Sequence, residues 1–271
     1  MLSNQELSVI AKRIRRNVIK MVTEAKSGHI GGAFSATEIA VSLYFNEMNI
    51  TKDNLTDLNR DKFVLSKGHA SALLFAVLCE KGFLPEEELL TFRKINSRLQ
   101  GHPNMNYVQG VDMSTGSLGQ GLSTAVGMAL SYKIHKQDFR VYSVVGDGES
   151  EEGQIWEAAM AAAHFKLDNL CAVLDMNGLQ IDGDVTVVMN PFPLDEKFAA
   201  FGWHVIKVDG HDYDQLQSAY AEARTVKGKP TMIIARTVKG KGVSFMENDY
   251  MWHGVAPTPE QAEAALKELE D

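Results

Sequence analysis

The sequence predicts an α/β fold: a single doubly wound domain with a mostly parallel sheet and helices on both faces. Short β-branched runs at residues 141–145 and 170–174 are typical of buried strands. A helical pattern with apolar positions on one face lies between these runs, and a glycine-containing turn follows each of them. Strand, turn, helix and strand make a βαβ unit, so we expect the two strands to be parallel with a right-handed crossover.

The composition is that of an ordinary globular protein. The chain has 271 residues, of which 45% are hydrophobic and 23% charged, and this length suits one large α/β domain. A net charge of −8 argues against nucleic acid or an anionic membrane as a partner. No apolar run approaches the roughly 20 residues of a membrane span, and the N-terminus lacks a signal-like apolar core. We therefore expect a cytoplasmic protein.

Two cysteines agree with a reducing compartment. Cys79 lies in a helical pattern and Cys171 lies in the second of the two apolar runs. Because they lack metal-ligand spacing, we interpret both as core thiols, with a disulfide as the less favoured alternative.

The chain opens with a helix whose start is marked by a capping box at Ser3 and Glu6. We expect this helix to end with Gly28 as its C-cap. A glycine-rich loop with His29 follows, and a second helix is predicted with Ser35 as its cap. Taken alone, His29 is equally compatible with an ordinary surface loop.

Residues 61–81 repeat the strand–turn–helix layout. The strand is predicted at 63–65 and the turn at 66–69, so His69 lies at the carboxyl end of a strand. This is the sheet edge at which open α/β folds bind ligands. A short helix is predicted over 86–95, and Pro103 then keeps His102 out of helical geometry.

The next segment, residues 110–135, joins a loop rich in glycine, serine and threonine to a long helix of small residues. Such a loop can present backbone N–H and C=O groups to a ligand. The small helical residues allow close packing against another helix, either within the chain or at a subunit interface.

The last part of the chain is predicted to form a strand within 201–212, a helix within 214–226 and a strand within 229–240. A long loop with His253 follows, and a terminal helix is expected at about 258–270. The lysines and glycines near 240 lack the Walker phosphate-binding pattern. We find no internal repeat or linker, so residues 1–271 are predicted to be one domain.

The turn at Gly146, Asp147 and Gly148 carries the most specific chemistry. The glycines let the backbone approach a phosphate, and the following helix can present its N-terminus to an anion. Glu149, Glu151 and Glu152 follow, however, and four carboxylates would repel a bare diphosphate. A divalent cation removes this conflict if Asp147 and the Asn177 side chain are oxygen ligands and diphosphate oxygens complete the shell. Taken alone, the GDG sequence is equally compatible with an acidic turn before a helix. The presence of Asn177 at the end of the next strand favours the metal site.

This stretch resembles the thiamine diphosphate motif, which is GDG, about thirty residues and then Asn. The resemblance implies that Asp147, Asn177 and the backbone carbonyl of Leu179 hold Mg²⁺ against the diphosphate, with Ca²⁺ or Mn²⁺ as possible substitutes. It also implies the thiamine diphosphate-binding fold, in its diphosphate-binding domain.

Further motifs resemble the amino-terminal part of transketolase in order and in rough spacing. They are KSGHIGG, LSKGHAS, GHPN, STGSLGQG, GDGESEEG, NGLQIDG and the late HG at 253, and they cover nearly the whole chain. The departures are small, since Ile30 and Ser117 stand where proline is common.

The transketolase resemblance implies a role for each histidine. His69 and His253 would contact the cofactor diphosphate. His29, His102 and His253 would line the channel and bind hydroxyls of the donor sugar. These four histidines are the expected catalytic set.

The same resemblance implies contacts for the loops. The backbone at Gly116 and Leu118 would hydrogen-bond the aminopyrimidine, and Glu152 would join a carboxylate network between paired active sites. The whole expected cofactor-binding set is His69, Gly116, Ser117, Leu118, Gly146, Asp147, Gly148, Glu149, Glu152, Asn177, Leu179 and His253.

The implied reaction is transfer of a two-carbon ketol unit from a ketose phosphate to an aldose phosphate. The thiazolium ring would supply the electron sink, and neutral imidazoles suit proton transfer near neutral pH. Transketolases carry beyond this region a pyrimidine-binding domain with the glutamate that protonates N1′, and this chain ends where that domain should begin. We therefore expect the amino-terminal subunit of a two-chain transketolase, inactive alone, in an α₂β₂ assembly with a carboxyl-terminal subunit that carries the pyrimidine-binding domain.

Several alternatives stay open. The α subunit of a 2-oxo acid dehydrogenase E1 component is a separate chain with GDG and Asn, but it would not be expected to carry His29, His69 and His102 together. Deoxyxylulose-phosphate synthase and dihydroxyacetone synthase share some motifs but are normally single long chains. A transketolase-like enzyme for an unusual sugar is a further alternative. A regulatory protein with a cofactor-like domain is the last alternative, but the intact Asp147 and Asn177 argue against it.

Overall fold

A five-stranded parallel sheet forms the centre of the molecule, which a computed structural model describes over residues 1–270. In chain order the strands are β1 Lys62–Leu65, β2 Val141–Gly146, β3 Leu170–Met176, β4 Leu179–Gln180, β5 Gly183–Asp184, β6 His204–Asp209 and β7 Thr231–Arg236. The main sheet has the order β1-β2-β3-β7-β6, and all neighbouring strands are parallel. The remaining pair, β4 and β5, forms a small antiparallel hairpin.

The helices surround this sheet. They are α1 Asn4–Ala25, α2 Gly31–Ser35, α3 Thr37–Ser42, α4 Ser71–Glu80, α5 Gln120–Ile134, α6 Gly153–His164, α7 Val185–Val188, α8 Leu194–Ala200, α9 Tyr213–Thr225 and α10 Pro259–Glu268. Shorter 3₁₀ turns lie at Gly68–Ala70, Glu86–Thr91, Gly148–Glu151 and Tyr250–His253, and a π-helical turn lies at Leu43–Glu47.

Two hydrophobic cores cover the two faces of the sheet. Side chains alternate along a strand, so consecutive residues enter different cores. Phe63 and Tyr142 belong to the core built with α1, α3, α4 and α9, whereas Val64 and Val145 belong to the core built with α5, α6 and α8. The predicted α/β class, with a mostly parallel sheet and helices on both faces, is confirmed.

Several element boundaries differ from the sequence-based expectation. Helix α1 is capped by Lys26, not by Gly28: Lys26 adopts a left-handed conformation with φ 50°, and its N–H bonds the carbonyls of Val22 and Thr23. Ser35 is not a cap either, because α2 already begins at Gly31 and the Ser35 hydroxyl donates to Asp175 at 2.6 Å. The helix expected over 86–95 is a 3₁₀ turn that ends at Thr91.

Other expectations agree with the structure. The terminal helix is α10, and Thr258 and Gln261 form a capping box at its start. Both cysteines are free thiols; Cys171 is buried and Cys79 is partly buried. None of the helices within residues 1–270 combines the length and the apolar character needed to cross a membrane.

The sheet determines where polar side chains gather. Because β1, β2, β3 and β7 are parallel, the turns that follow them lie at one edge. These turns carry His69, Asp147, Asn177 and Lys239.

Candidate functional site

A cavity of about 350 Å³ lies at the carboxyl edge of the sheet, among the turns that follow its strands. Most of the residues predicted from the sequence line it, namely His29, His69, Gly116, Leu118, Gly146, Asp147, Gly148, Glu149, Glu152, Asn177, Leu179 and His253. His102 and Ser117 are not among the lining residues and are exposed beside the cavity. The structure thus brings together residues that are more than two hundred positions apart in the chain.

Three imidazole rings form a compact cluster on one side of this cavity. The ring centroids of His29, His69 and His253 are 5.2 to 5.4 Å apart, and His69 stacks on His253. His102 lies behind the 116–118 loop: a Cβ atom added at Gly116 would come within 2.9 Å of its ring. Gly116 also has φ 149°, so both the close approach and the backbone conformation require glycine there.

Burial keeps these histidines neutral. It lowers the pKa of His29 to about 4, with a further contribution from Arg93, and the pKa of His253 to about 3, with a further contribution from Lys239. Burial and the Lys67 charge also lower the pKa of His69 well below its usual value. At neutral pH each ring therefore presents one N–H donor and one acceptor nitrogen. Such low pKa values suit hydrogen bonding to a ligand better than they suit holding a proton.

The GDG turn holds a buried carboxylate, Asp147, whose surroundings do not fully stabilise its negative charge. Asp147 is 2% exposed and accepts hydrogen bonds from the N–H groups of Gly148 at 2.8 Å and Gly178 at 2.5 Å. Burial and the nearby Asp175 carboxylate raise the pKa of Asp147 to about 6. A cation at this carboxylate would oppose both effects.

The turn after β3 lies directly against Asp147. Asn177 donates from Nδ2 to Asp175 at 3.2 Å, and its Oδ1 accepts the N–H of Leu179 at 3.1 Å. The hydrogen bond from Gly178 N–H to Asp147 ties this turn to the GDG turn. Asp147, Asn177 and Leu179 line the same cavity, and their carboxylate, amide and carbonyl oxygens are of the kind that Mg²⁺ prefers as ligands.

Two lysines of the site were missed by the sequence-based prediction. The Lys239 ammonium donates to the Leu179 carbonyl at 2.9 Å and to His253 Nδ1 at 3.0 Å. Burial and the Lys67 charge lower the pKa of Lys239 to about 8. Lys67 donates to the Gly32 carbonyl at 2.8 Å and forms a buried ion pair with Asp175. Lys67 precedes the predicted turn histidine by two residues, and this position was the only hint in the sequence.

Asp175 organises the floor of the site. Its carboxylate is fully buried and accepts from Ser35, Lys67, Thr237 and Asn177. Burial alone would raise the pKa of Asp175, but the Lys67 ammonium and the other donors lower it below its usual value. This residue therefore stays ionised and fixes the amide orientation of Asn177.

Glu149 joins three segments of the cavity wall. Its carboxylate accepts from the Ser66 hydroxyl at 2.5 Å, the Gly119 N–H at 2.9 Å and the Gly146 N–H at 3.0 Å. These bonds connect the turn after β1, the 116–119 loop and the GDG turn. Glu152, by contrast, is exposed at the mouth of the cavity.

Comparison with known proteins gives one family. The family model described as transketolase, thiamine diphosphate binding domain, matches residues 7–269. A 6-deoxy-6-sulfo-D-fructose transketolase subunit from Clostridium sp. (strain MSTE9) is 45% identical and is covered over 94% of its length by 96% of this chain. One subunit of an apulose-4-phosphate transketolase from Phocaeicola vulgatus is 40% identical, and the match covers 95% of that subunit and 98% of this chain.

Longer relatives match over part of their length. Human transketolase is 43% identical, and the match covers 98% of this chain but 42% of that protein. The solved transketolase of Campylobacter jejuni superposes with a TM-score of 0.93 at 34% identity, covering 99% of this chain and 43% of that one. The chain therefore spans nearly the whole of the two subunit relatives and less than half of these longer transketolases.

Proposed function

Because the chain belongs to the transketolase family, through its thiamine diphosphate-binding domain, we propose that it is the amino-terminal subunit of a thiamine diphosphate- and Mg²⁺-dependent transketolase. A separate carboxyl-terminal subunit with the pyrimidine-binding domain would complete the enzyme. The name "subunit" of the two relatives that match this chain end to end supports the need for a second chain. The stoichiometry that we propose is α₂β₂.

The observation that carries this proposal is the convergence of oxygen donors and ammonium groups at one cavity. Asp147, Asn177 and the Leu179 carbonyl lie on two turns joined by a hydrogen bond, and Lys67 and Lys239 line the same cavity. No group of three or more His, Cys, Asp or Glu residues suited to a metal exists within residues 1–270. That finding is compatible with the proposed site, which has one carboxylate and relies on diphosphate oxygens for the rest of the shell.

The site therefore fits a magnesium diphosphate. Asp147, Asn177 and Leu179 would hold the cation, and Lys67 and Lys239 would add positive charge for the diphosphate oxygens. The Lys239 ammonium now donates to the Leu179 carbonyl, which is a proposed metal ligand. When the ligand binds, Lys239 would give up part of this hydrogen bond and donate to the diphosphate. The two buried ammonium groups raise the local positive potential before any ligand arrives.

Thiamine diphosphate, when bound, supplies the electron sink for breaking a C–C bond next to a carbonyl. The residues of this chain would position the sugar and control its protons. His29 and His253 are neutral and can bind sugar hydroxyls as donors or acceptors. His102 lies beside the 116–118 loop, where it would meet the same end of the substrate.

The donor that we propose is a ketose with an anionic group at its far end. The two subunit relatives are named for a sulfonated fructose and for a ketose phosphate. These names favour an unusual sugar as the second candidate for the donor, beside the common ketose phosphates. The alternative of a 2-oxo acid dehydrogenase α subunit has no support among the relatives described above.

The test is a donor panel with the two-chain complex. Xylulose 5-phosphate, 6-deoxy-6-sulfofructose and apulose 4-phosphate would each be offered with an aldose phosphate acceptor, with and without thiamine diphosphate and Mg²⁺. We expect cofactor-dependent ketol transfer from at least one donor. Turnover of 2-oxo acids in place of these ketoses, or transfer without the cofactor, would contradict the proposal.

A further inference from the structure

Arg93 lies directly behind the histidine cluster. Its Nη2 atom is 3.3 Å from Nδ1 of His29, and its Nη1 atom donates to the Ser27 hydroxyl at 2.9 Å. Arg93 does not line the 350 Å³ cavity but a neighbouring one of about 800 Å³. The contact with His29 is therefore the shortest connection between Arg93 and a ligand in the first cavity, and the Arg93 charge also lowers the pKa of His102 after burial has done so.

We propose that Arg93 is a positioning residue: it holds His29, which lines the ligand cavity, with Nδ1 as the acceptor and with the ring proton on Nε2, the nitrogen that Arg93 does not contact. A guanidinium has donors and no acceptor, so the nitrogen it bonds must carry a lone pair. The proton of a neutral His29 then has to be on the other ring nitrogen. The sequence places Arg93 in a predicted short helix and gives no hint of this role.

The loop around Arg93 is built to hold the guanidinium in this place. Arg93 has φ 59°, a left-handed conformation that residues other than glycine rarely adopt. Its N–H donates to the Leu99 carbonyl at 2.8 Å, which closes the loop. A Cβ atom at Gly101 would come within 2.8 Å of the guanidinium carbon, so a larger residue there would shift the guanidinium from its place. Such conformations persist where the surroundings enforce them, and they concentrate at functional sites.

The positive charges around His29 all lower the pKa of its ring. Burial is the main cause of its lowered pKa, and Arg93, His102 and Lys239 add to it. The His69 and His253 rings contact His29 from two further segments, and Lys67 lies behind His69. Every cation near His29 therefore disfavours its protonated form. A neutral ring with its proton on Nε2 presents a hydrogen-bond donor to an oxygen of the ligand.

The inference rests on the proposed function only for the nature of that ligand, so its test is spectroscopic and needs neither cofactor nor activity. The full chain with ¹⁵N-labelled histidine would be studied by long-range ¹H–¹⁵N correlation, and the His29 signals would be assigned with a His29→Gln variant. In the wild type we expect the Nε2–H tautomer. Protonation of Nδ1 would overturn the proposal, because Arg93 has no acceptor for that proton.

Variants separate positioning from simple loop stability. Arg93→Met removes the charge and all donors but keeps a long side chain; we expect the His29 titration midpoint to rise from about 4 toward its ordinary value and the Nδ1–H form to appear. Arg93→Lys keeps the positive charge and an N–H donor group without any acceptor, and it should restore most of the wild-type behaviour. Lys94→Met is the matched control, because Lys94 is on the same loop and pairs with Glu24 at 2.6 Å instead.

The outcomes differ clearly. If Arg93 serves only to stabilise the loop, Arg93→Met will lower the melting temperature and leave the His29 tautomer and midpoint unchanged. That result would overturn the proposal. Should Arg93→Met fail to fold, the wild-type tautomer still decides the question, because a proton on Nδ1 of His29 would overturn the proposal.

Discussion

At the residue scale, the site gathers buried charge that a structural core does not need. Lys67 and Asp175 have side-chain exposures of 2% and 0%, and they form an ion pair below the cavity. Replacing such a pair by apolar residues often costs little, whereas removing one partner leaves an uncompensated buried charge. The pair is therefore best explained by its position, since Lys67 faces the cavity and Asp175 orients Asn177.

Breaking this pair should be costly. We expect Lys67→Met to destabilise the chain by roughly 3–5 kcal/mol, because Asp175 stays buried without its main partner. The double variant Lys67→Met/Asp175→Leu should lose less than the sum of the two single variants. Urea unfolding measures both.

The control for this measurement is an exposed pair. Lys94 and Glu24 are 49% and 50% exposed, so Lys94→Met should cost at most about 1 kcal/mol. If Lys67→Met and Lys94→Met lowered the free energy of unfolding equally, the buried ion pair would contribute no more to stability than the exposed one.

Asp147 should give the site a characteristic pH dependence. Its pKa is raised from 3.8 to about 6 in the folded chain, so the protonated form is favoured by folding. The associated stability is fully present below pH 3.8 and is lost as the pH rises through about 6, by roughly 3 kcal/mol for a shift of about two units. Mg²⁺ bound to the ionised carboxylate would reverse this loss. Thermal stabilisation of the two-chain complex by thiamine diphosphate and Mg²⁺ should therefore be large above pH 6 and small well below it.

Two variants test this dependence. Asp147→Asn should abolish the Mg²⁺-dependent stabilisation, whereas Asp182→Asn, an exposed acid in the nearby 179–184 hairpin, should retain it. Equal metal-dependent stabilisation of both variants would exclude Asp147 as the metal ligand.

The residues that could be predicted from the sequence are those whose chemistry is visible in a short motif. Asp147 and Asn177 each follow an apolar strand. Because the carboxyl ends of parallel strands lie at one edge of a sheet, the sequence alone predicts that these two residues lie close together. Lys239 could not be predicted in the same way, because its partners, Leu179 and His253, are distant in the chain and its own segment lacks a phosphate-binding pattern. Arg93 was missed for a similar reason, since its left-handed conformation depends on contacts with Leu99 and Gly101.

At the element scale, the cavity depends on how closely α5 approaches the end of β1. Gly121, in the first turn of α5, lies against Ser66: a Cβ atom there would come within 2.5 Å of the Ser66 Cα. Ser66 in turn donates to Glu149, which holds the GDG turn. A small residue in α5 is thus connected through two contacts to the proposed metal site.

A glycine pair in α5 provides a matched test. Gly121→Ala should destabilise the chain by roughly 1–3 kcal/mol, because the helix would have to move away from backbone atoms. Gly127→Ala meets no atom within 4 Å and should stabilise it by up to about 1 kcal/mol, since alanine is the better helix former. Thermal unfolding of both variants measures the difference. A stabilising Gly121→Ala would contradict the close approach.

Element identity was more predictable than element ends. The apolar runs identified β2 and β3, and the capping box at Ser3 and Glu6 identified the start of α1. The end of α1 was wrong because Lys26 takes the left-handed position that Gly28 was expected to take. Gly28 is needed for another reason: a Cβ atom there would come within 2.8 Å of Val22.

At the scale of the whole molecule, the sheet separates two hydrophobic cores and leaves its carboxyl edge for the site. Every proposed diphosphate and metal ligand belongs to this chain and lies at that edge. The histidine cluster closes one side of the cavity, and the exposed Glu152 and His102 lie at its margin. We propose that a second chain covers this margin and supplies the residues that act on the pyrimidine ring.

The most direct test of that claim is the rate of ketol transfer by this chain alone and by this chain mixed with the product of the neighbouring reading frame. Thiamine diphosphate, Mg²⁺, xylulose 5-phosphate and ribose 5-phosphate would be present in both reactions, with the other donors of the panel tested in parallel. We predict transfer in the mixture, no transfer by either chain alone, and loss of transfer when Asp147→Asn replaces the wild type. Transfer by this chain alone would contradict the two-chain proposal.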